Sequence, residues 1–163
     1  MPTAIATATT SPSPEETEPA EPAPTLPPKP AAMSEETEEG AIATVRYFID
    51  AVNMAYATND PSYFEDLATD DCKLCTNIAG DIREAGNLGQ VFEEYTLELR
   101  KITKAGEMKE GWFGVEADVK QPKLQARNPD GSVEEISSAA TVTSTVFVLD
   151  FIDGRWLLKA AVS

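Results

Sequence analysis

Thr141-Val-Thr-Ser-Thr-Val-Phe-Val-Leu-Asp-Phe-Ile-Asp-Gly-Arg-Trp-Leu-Leu-Lys-Ala-Ala-Val162 is the stretch whose reading decides the fold. Two apolar-rich runs, Thr141 to Ile152 and Arg155 to Val162, flank Asp153-Gly154, a dipeptide suited to a tight two-residue turn, so the spacing predicts an antiparallel hairpin. Trp156, Leu158, Ala160 and Val162 are expected to line one face of its closing strand. Trp156, lying across from Phe147 to Phe151, reads as core.

Working outward, Phe113, Val115, Ala117 and Val119 alternate with Gly114, Glu116, Asp118 and Lys120, which gives a strand with one buried and one wet face. Tyr95, Leu97 and Leu99 also alternate with polar residues, but Ile102 falls out of phase and predicts a bulge near Lys101. Pro122 and the turn signal Asn128-Pro-Asp-Gly131 make residues 123–137 a short hairpin at an edge.

Before Val91 the period is helical. Ile42, Val45, Ile49, Val52 and Tyr56 recur at steps of three and four with Phe48 beside them, a stripe about four turns long. Ser34-Glu-Glu-Thr-Glu-Glu39 offers its cap and acidic first turn, and Thr58-Asn59 its end. Asp60-Pro61 opens a short second helix through Leu67. A third is expected from about Cys72 to Ala85, capped by Asp70 or Asp71, ended by Gly86-Asn87 and turned inward through Leu74, Ile78 and Ile82. Helices followed by antiparallel strands give an α+β domain, a curved sheet wrapped over a helical layer.

Residues 1–33 have a different composition. Nine of the twelve prolines lie between Pro2 and Pro30, interleaved with Thr, Ala, Ser and Glu, and Ile5 and Leu26 are the only sizeable aliphatics there. Such a segment buries no core and is expected to be a disordered stalk, with the domain occupying 34–163. Because Met1 opens directly into this composition, an export signal is expected to stand upstream of it.

Charge excludes some partners. The 163 residues carry 28 Asp and Glu against 13 Lys and Arg, no His, and a formal net charge of −15. This sign repels phosphate backbones and anionic headgroups, so nucleic acid is not an expected ligand and no direct electrostatic docking on a membrane is expected.

The three-helix start, the Cys72-Lys-Leu-Cys75 opening of the third helix and the closing Phe151-Ile-Asp-Gly-Arg-Trp-Leu-Leu158 resemble the NTF2-like (cystatin-like) cone, in which a bent antiparallel sheet closes over a long first helix. More narrowly, Val45 to Asp60 followed by Asp71-Cys-Lys-Leu-Cys75 is similar to a family of actinobacterial exported lipoproteins of uncharacterised function. That resemblance implies a signal segment, a lipidated cysteine upstream of Met1, a low-complexity stalk and an extracytoplasmic domain anchored at the cell membrane. The fold hosts isomerases, dehydratases and binding modules alike, so it names no activity.

Cys72 and Cys75 are the only cysteines. A structural disulfide suits an exported protein and is the leading expectation. A redox dithiol would need a stabilised thiolate, which Asp70 and Asp71 oppose. A zinc site would need two further ligands with no His and no other Cys to supply them, so no metal is expected. For an enzyme of this fold, acid and base would lie in the cone, and Tyr47, Asp50, Tyr56, Asp118 and Asp150 are the pocket candidates. Each also has a structural explanation, and the absence of His weighs against proton transfer at neutral pH. No catalytic residue is therefore assigned.

Phosphate-cradling and dinucleotide motifs are missing and no cofactor is expected. The expected function is a non-catalytic binding or interaction module for an unknown small molecule or envelope protein. The alternatives are a small isomerase or hydrolyase, a CxxC thiol-disulfide protein, and a homodimer formed through the open sheet face.

Overall fold

A computed structural model describes residues 25–137 and 141–163. Helix α1 runs Glu38–Thr58. Its cap is Thr37, within the Ser34–Glu39 stretch: the Thr37 side chain accepts the Gly40 N–H at 3.0 Å, with Glu38 and Glu39 behind it in the first turn. Asn59 closes the helix in the left-handed region at φ 55° and donates its side-chain amide to the Gln90 carbonyl at 2.7 Å. Helix α2 is one turn, Ser62–Glu65, shorter than the sequence predicts, and the Asp60 carboxylate accepts the Ser62 N–H ahead of it at 3.0 Å.

Helix α3 runs Lys73–Asn87. Neither Asp70 nor Asp71 caps it. Cys72 does, its Sγ accepting from the Cys75 N–H at 3.3 Å. Cys75, Ala79, Ile82 and Ala85 form the buried face, while Leu74 is exposed and Ile78 half-buried. The stripe is thus rotated from the one expected, because small residues let the helix approach its neighbours more closely than the larger aliphatics beside them.

The strands are β1 (Val91–Phe92), β2 (Glu98–Glu107), β3 (Phe113–Gln121), β4 (Leu124–Arg127), β5 (Val133–Ser137), β6 (Thr141–Ile152) and β7 (Arg155–Val162). They form two antiparallel sheets, a four-stranded one in the order β2-β3-β6-β7 and a smaller one in the order β1-β4-β5. The expected hairpin at 123–137 is β4-β5, paired with β1 and not with the main sheet. The register of β2 on β3 shifts between Leu99 and Lys101 and again between Ile102 and Lys104, so the bulge predicted near Lys101 has a second beside it. Bulges bend a strand and increase its twist, which curves this edge around the helices.

The closing hairpin turns at Asp153 and Gly154, φ 51° and 79°, as its sequence requires. Its face assignment needs correction. Leu149 pairs with Leu158 but Val148 pairs with Ala160, leaving Lys159 as an extra residue. The alternation flips there. Trp156 and Leu158 are in the core as expected, but Ala161 takes the next inward place, and Val162 is 59 % exposed.

Val45, Phe48 and Val52 of α1 join Val115, Ala117, Phe147, Leu149 and Leu158 of the sheet in one core, with Phe48 edge-on to Phe64 at 5.8 Å. Beyond α2 the chain pairs with the free edge of β7: the Thr69 N–H donates to the Leu158 carbonyl at 2.9 Å and the Leu158 N–H to the Leu67 carbonyl at 2.8 Å. This covers part of an edge strand that would otherwise be open to another chain.

The boundary at Ser34 also moves. A 3-10 turn at Ala31–Ser34 carries Met33 into the core, and half-buried Leu26 packs against it. Trp156 Nε1 donates to the Glu35 carbonyl at 2.7 Å. Gly40 makes room for this strap, since a Cβ there would overlap the carbonyl oxygens of Glu35 and Ala32. Lys29 adds an exposed ion pair to Asp66 at 3.0 Å. The stalk expected over 1–33 is therefore packed from Leu26 onward, and residues 1–24 lie outside the described ones.

Candidate functional site

The site starts from α1. Its inward side presents Phe48, Ile49, Val52 and Tyr56 toward the concave face of the sheet, and the space left between them and Leu97, Val119, Phe147 and Ala161 is a chamber of about 360 Å³. The lining is largely apolar, with Asn77, Asp81, Tyr95 and Gln121 among its polar groups. Asp81, exposed on α3, is the only Asp or Glu among the described lining residues, and none of them is Lys or Arg.

Two phenols define the polar end. Tyr56 and Tyr95 are both buried, with ring centroids 4.6 Å apart, and Tyr56 also meets Phe92 edge-on at 5.0 Å. Burial raises the Tyr56 pKa above its ordinary value, with smaller upward contributions from Tyr95 and Asp81. Burial pushes Tyr95 up to about 12 against the opposing effect of a hydrogen bond with Gln121. Both therefore stay neutral hydroxyls through the physiological range.

A second, wider groove of about 600 Å³ lies on the other side of the same two tyrosines, between Thr25, Leu26 and Pro27 of the strap and Asp50, Met54, Glu93 and Glu94. Partial burial raises the Asp50 pKa. The tyrosines are thus a shared wall between chamber and groove.

The five residues picked from the sequence do not converge. Tyr56 lines the chamber and Asp50 the neighbouring groove. Tyr47 is packed in the core and lines neither. Asp118 lies in register with Ser144 on the polar face of β3, and Asp150 pairs with Leu157 on β6 close enough to Lys159 to help raise its pKa. Tyr95, Asp81 and Gln121 line the chamber without being among those five. Tyr95 was available from the pattern, because it heads the alternating run whose other members face the core.

Cys72 and Cys75 stand at disulfide distance, Cα–Cα 5.3 Å, and are bonded. Both are buried, at 0 and 5 % exposure, beneath the start of α3.

On the opposite, convex face of the main sheet, Trp112, Met108, Val148, Ala160 and Val162 border a groove of about 510 Å³. Lys159 stands over the Trp112 ring at 5.1 Å and pairs with Asp71 at 2.7 Å. Among the described residues no helix is long and apolar enough to cross a membrane.

Comparison with solved structures places this arrangement among known folds. The intermembrane space region of the chloroplast protein ARC6 aligns with a TM-score of 0.56 at 12 % identity, over 78 % of this chain and 96 % of that one. An uncharacterized protein with a cystatin-like fold from Caulobacter vibrioides gives 0.49 at 14 % identity, over 74 % and 86 %. A ketosteroid isomerase-like protein from Erwinia carotovora atroseptica gives 0.46 at 15 % identity, over 77 % and 93 %. These likenesses concern the fold alone. No curated protein matches the chain. A family model described as "Family of unknown function (DUF6318)" matches residues 12–162, nearly the whole sequence. The protein is a member of that family, and its domain sets helices against an antiparallel sheet.

Proposed function

We propose that the protein is a non-catalytic binding module that receives a small, mainly apolar molecule in the chamber between α1 and the sheet. The observation that carries this reading is the lining: an apolar cavity of about 360 Å³ with a few fixed polar groups, the usual composition of a ligand pocket. An isomerase or hydrolyase reading would need a carboxylate buried beside a tyrosine inside the cavity, and Asp81, though it lines the chamber with Tyr56, is exposed on α3. A thiol-disulfide reading would need an accessible cysteine pair, and both sulfur-bearing residues are buried.

The test uses 1-N-phenylnaphthylamine, an uncharged fluorophore that brightens in apolar surroundings. Saturable enhancement with one site per chain is expected, abolished by Ile49→Trp, which fills the chamber. Unsaturable enhancement that Ile49→Trp leaves intact would overturn the reading.

The setting is proposed to be extracytoplasmic, with the chain tethered at the cell membrane by a lipid upstream of its proline-rich stalk. The Cys72–Cys75 bond and the acidic, proline-rich leader support this. Expression of the native gene followed by detergent partitioning would place the protein in the detergent phase; recovery from the cytosolic fraction would refute it. A homodimer through the convex sheet face is a second reading, favoured by Met108 and Val162 at 43 and 59 % exposure beside Trp112. Light scattering that gives a monomer at millimolar concentration would dispose of it.

A further inference from the structure

The groove of about 600 Å³ beyond the two tyrosines differs in chemistry from the chamber. One face of α1 borders it, where Asp50, Asn53, Met54 and Ala57 recur at helical spacing, and the loop Glu93 to Thr96 and the strap residues Thr25 to Pro27 complete it. Tyr56, Phe92 and Tyr95 give it an aromatic wall. Asp50, Glu93 and Glu94 give it three carboxylates, and no Lys or Arg is among its described lining residues. Arg127 Nε stands 2.7 Å from Glu93 Oε1, yet that buried oxygen receives no hydrogen bond among the described residues. Asp50 and Glu94 have no ion pair at all among those residues. The negative charge of the groove is thus left unbalanced, in a chain whose net charge of −15 adds to the same field. Partial burial without a counter-charge is also what raises the Asp50 pKa. A bare metal ion does not match this layout, since no three Asp, Glu, Cys or His among the described residues are grouped to hold one. Dispersed carboxylates beside aromatic rings match a cation whose charge sits inside an apolar shell.

We infer that this groove binds an organic ammonium ion, an alkylated or quaternary amine whose carbon substituents pack against the aromatic wall while its charge is met by Asp50 and Glu94. The site is separate from the chamber and does not depend on the chamber being filled. Charge complementarity selects the occupant: an anion would be repelled, and a neutral molecule would leave the carboxylates as unbalanced as before.

The experiment follows the aromatic resonances of the full chain by NMR during titration with choline, with 3,3-dimethyl-1-butanol, in which a tert-butyl group replaces the trimethylammonium at nearly equal shape, and with calcium chloride. Choline is expected to shift the rings of Tyr56, Phe92 and Tyr95 saturably and to bind about 10-fold tighter than the alcohol. Added salt should weaken choline and leave the alcohol unchanged. Asp50 and Glu94 are both exposed, so Asp50→Asn and Glu94→Gln keep the fold, and each should lower choline affinity about 3-fold without affecting the alcohol. Ile49→Trp, which fills the chamber, should leave choline binding as it is. Equal affinity for choline and the alcohol, or choline binding that both charge-removing variants leave intact, would overturn the inference. So would calcium shifting the same rings more tightly than choline does. Loss of choline binding in Ile49→Trp would move the cation to the chamber and overturn the assignment to the groove, whereas failure of the uncharged fluorophore to bind would count against the chamber alone.

Discussion

Asn53 and Leu97 exchange two hydrogen bonds: the Asn53 carboxamide donates to the Leu97 carbonyl at 3.0 Å and accepts the Leu97 N–H at 2.8 Å. A side chain on α1 thus pairs with the backbone just before β2 as a neighbouring strand would. It holds Tyr95 and Leu97 at the wall of the chamber. Asn53→Ala leaves both backbone groups of Leu97 without partners in a half-buried position, and is expected to cost about 2 to 3 kcal/mol. Urea unfolding measures the loss, and a midpoint unchanged from the parent chain would refute the clamp.

The disulfide closes a very small loop, so its effect on the unfolded chain is modest. Replacing Cys72 and Cys75 together by Ala is expected to cost about 2 kcal/mol by the chain-entropy estimate. A drop in melting temperature of about 4 to 8 °C would follow. Calorimetry on the double variant checks this, and intact mass under non-reducing conditions should show the parent chain about two hydrogens light.

Gly40 is where the strap crosses α1. Gly40→Ala forces a methyl against the carbonyls of Ala32 and Glu35, neither of which moves without lifting Met33 or breaking the bond from Trp156. The expected cost is about 1 to 3 kcal/mol, as for other overpacked sites. Cleavage between Leu26 and Thr37 by a nonspecific protease should become faster than in the parent, and equal rates would count against the strap.

Asp50 provides a pH dependence of known sign. Its folded pKa lies above the unfolded value of 3.8, so the native state binds the proton more tightly and loses stability as pH rises from 3.8 through the folded pKa. Asp50→Asn should therefore raise the melting temperature at pH 7 and lose that advantage as pH falls toward 3.8. Asp71 has the opposite sign: bonding to Lys159, then to Thr69, lowers it to about 2, so its stabilisation is complete above 3.8 and fades below. Melting curves of Asp50→Asn and Asp71→Asn from pH 3 to 7 should diverge in these opposite directions.

The fold was legible where side chains follow their local period. Phe113 to Val119 alternate cleanly, and Asp153-Gly154 supplies the turn chemistry itself. What escaped the period depends on distant partners. Lys159 carries no local mark of the bulge that reverses the face of Ala160 and Val162, since that bulge is set by the pairing with Val148 and Leu149. Cys75, Ala79 and Ala85 outweigh Leu74 because close approach favours small residues, which a search for large apolar side chains overlooks. Met33 gives one apolar signal in a polar run, too little to reveal the strap. The chamber was the least legible feature. Asp118 and Asp150 stand out by their chemistry alone, whereas Tyr95, in the loop before β2, and Gln121, at the end of β3, reach the cavity through topology that only folding decides.

The strap has a mechanical consequence. A pull on the leader is delivered at Met33 and at the Glu35–Trp156 bond, that is, into the hydrophobic interior and the last strand together. Tension applied ahead of Leu26 would therefore be borne by shearing packed side chains, beside the acidic groove that Thr25 to Pro27 help to wall.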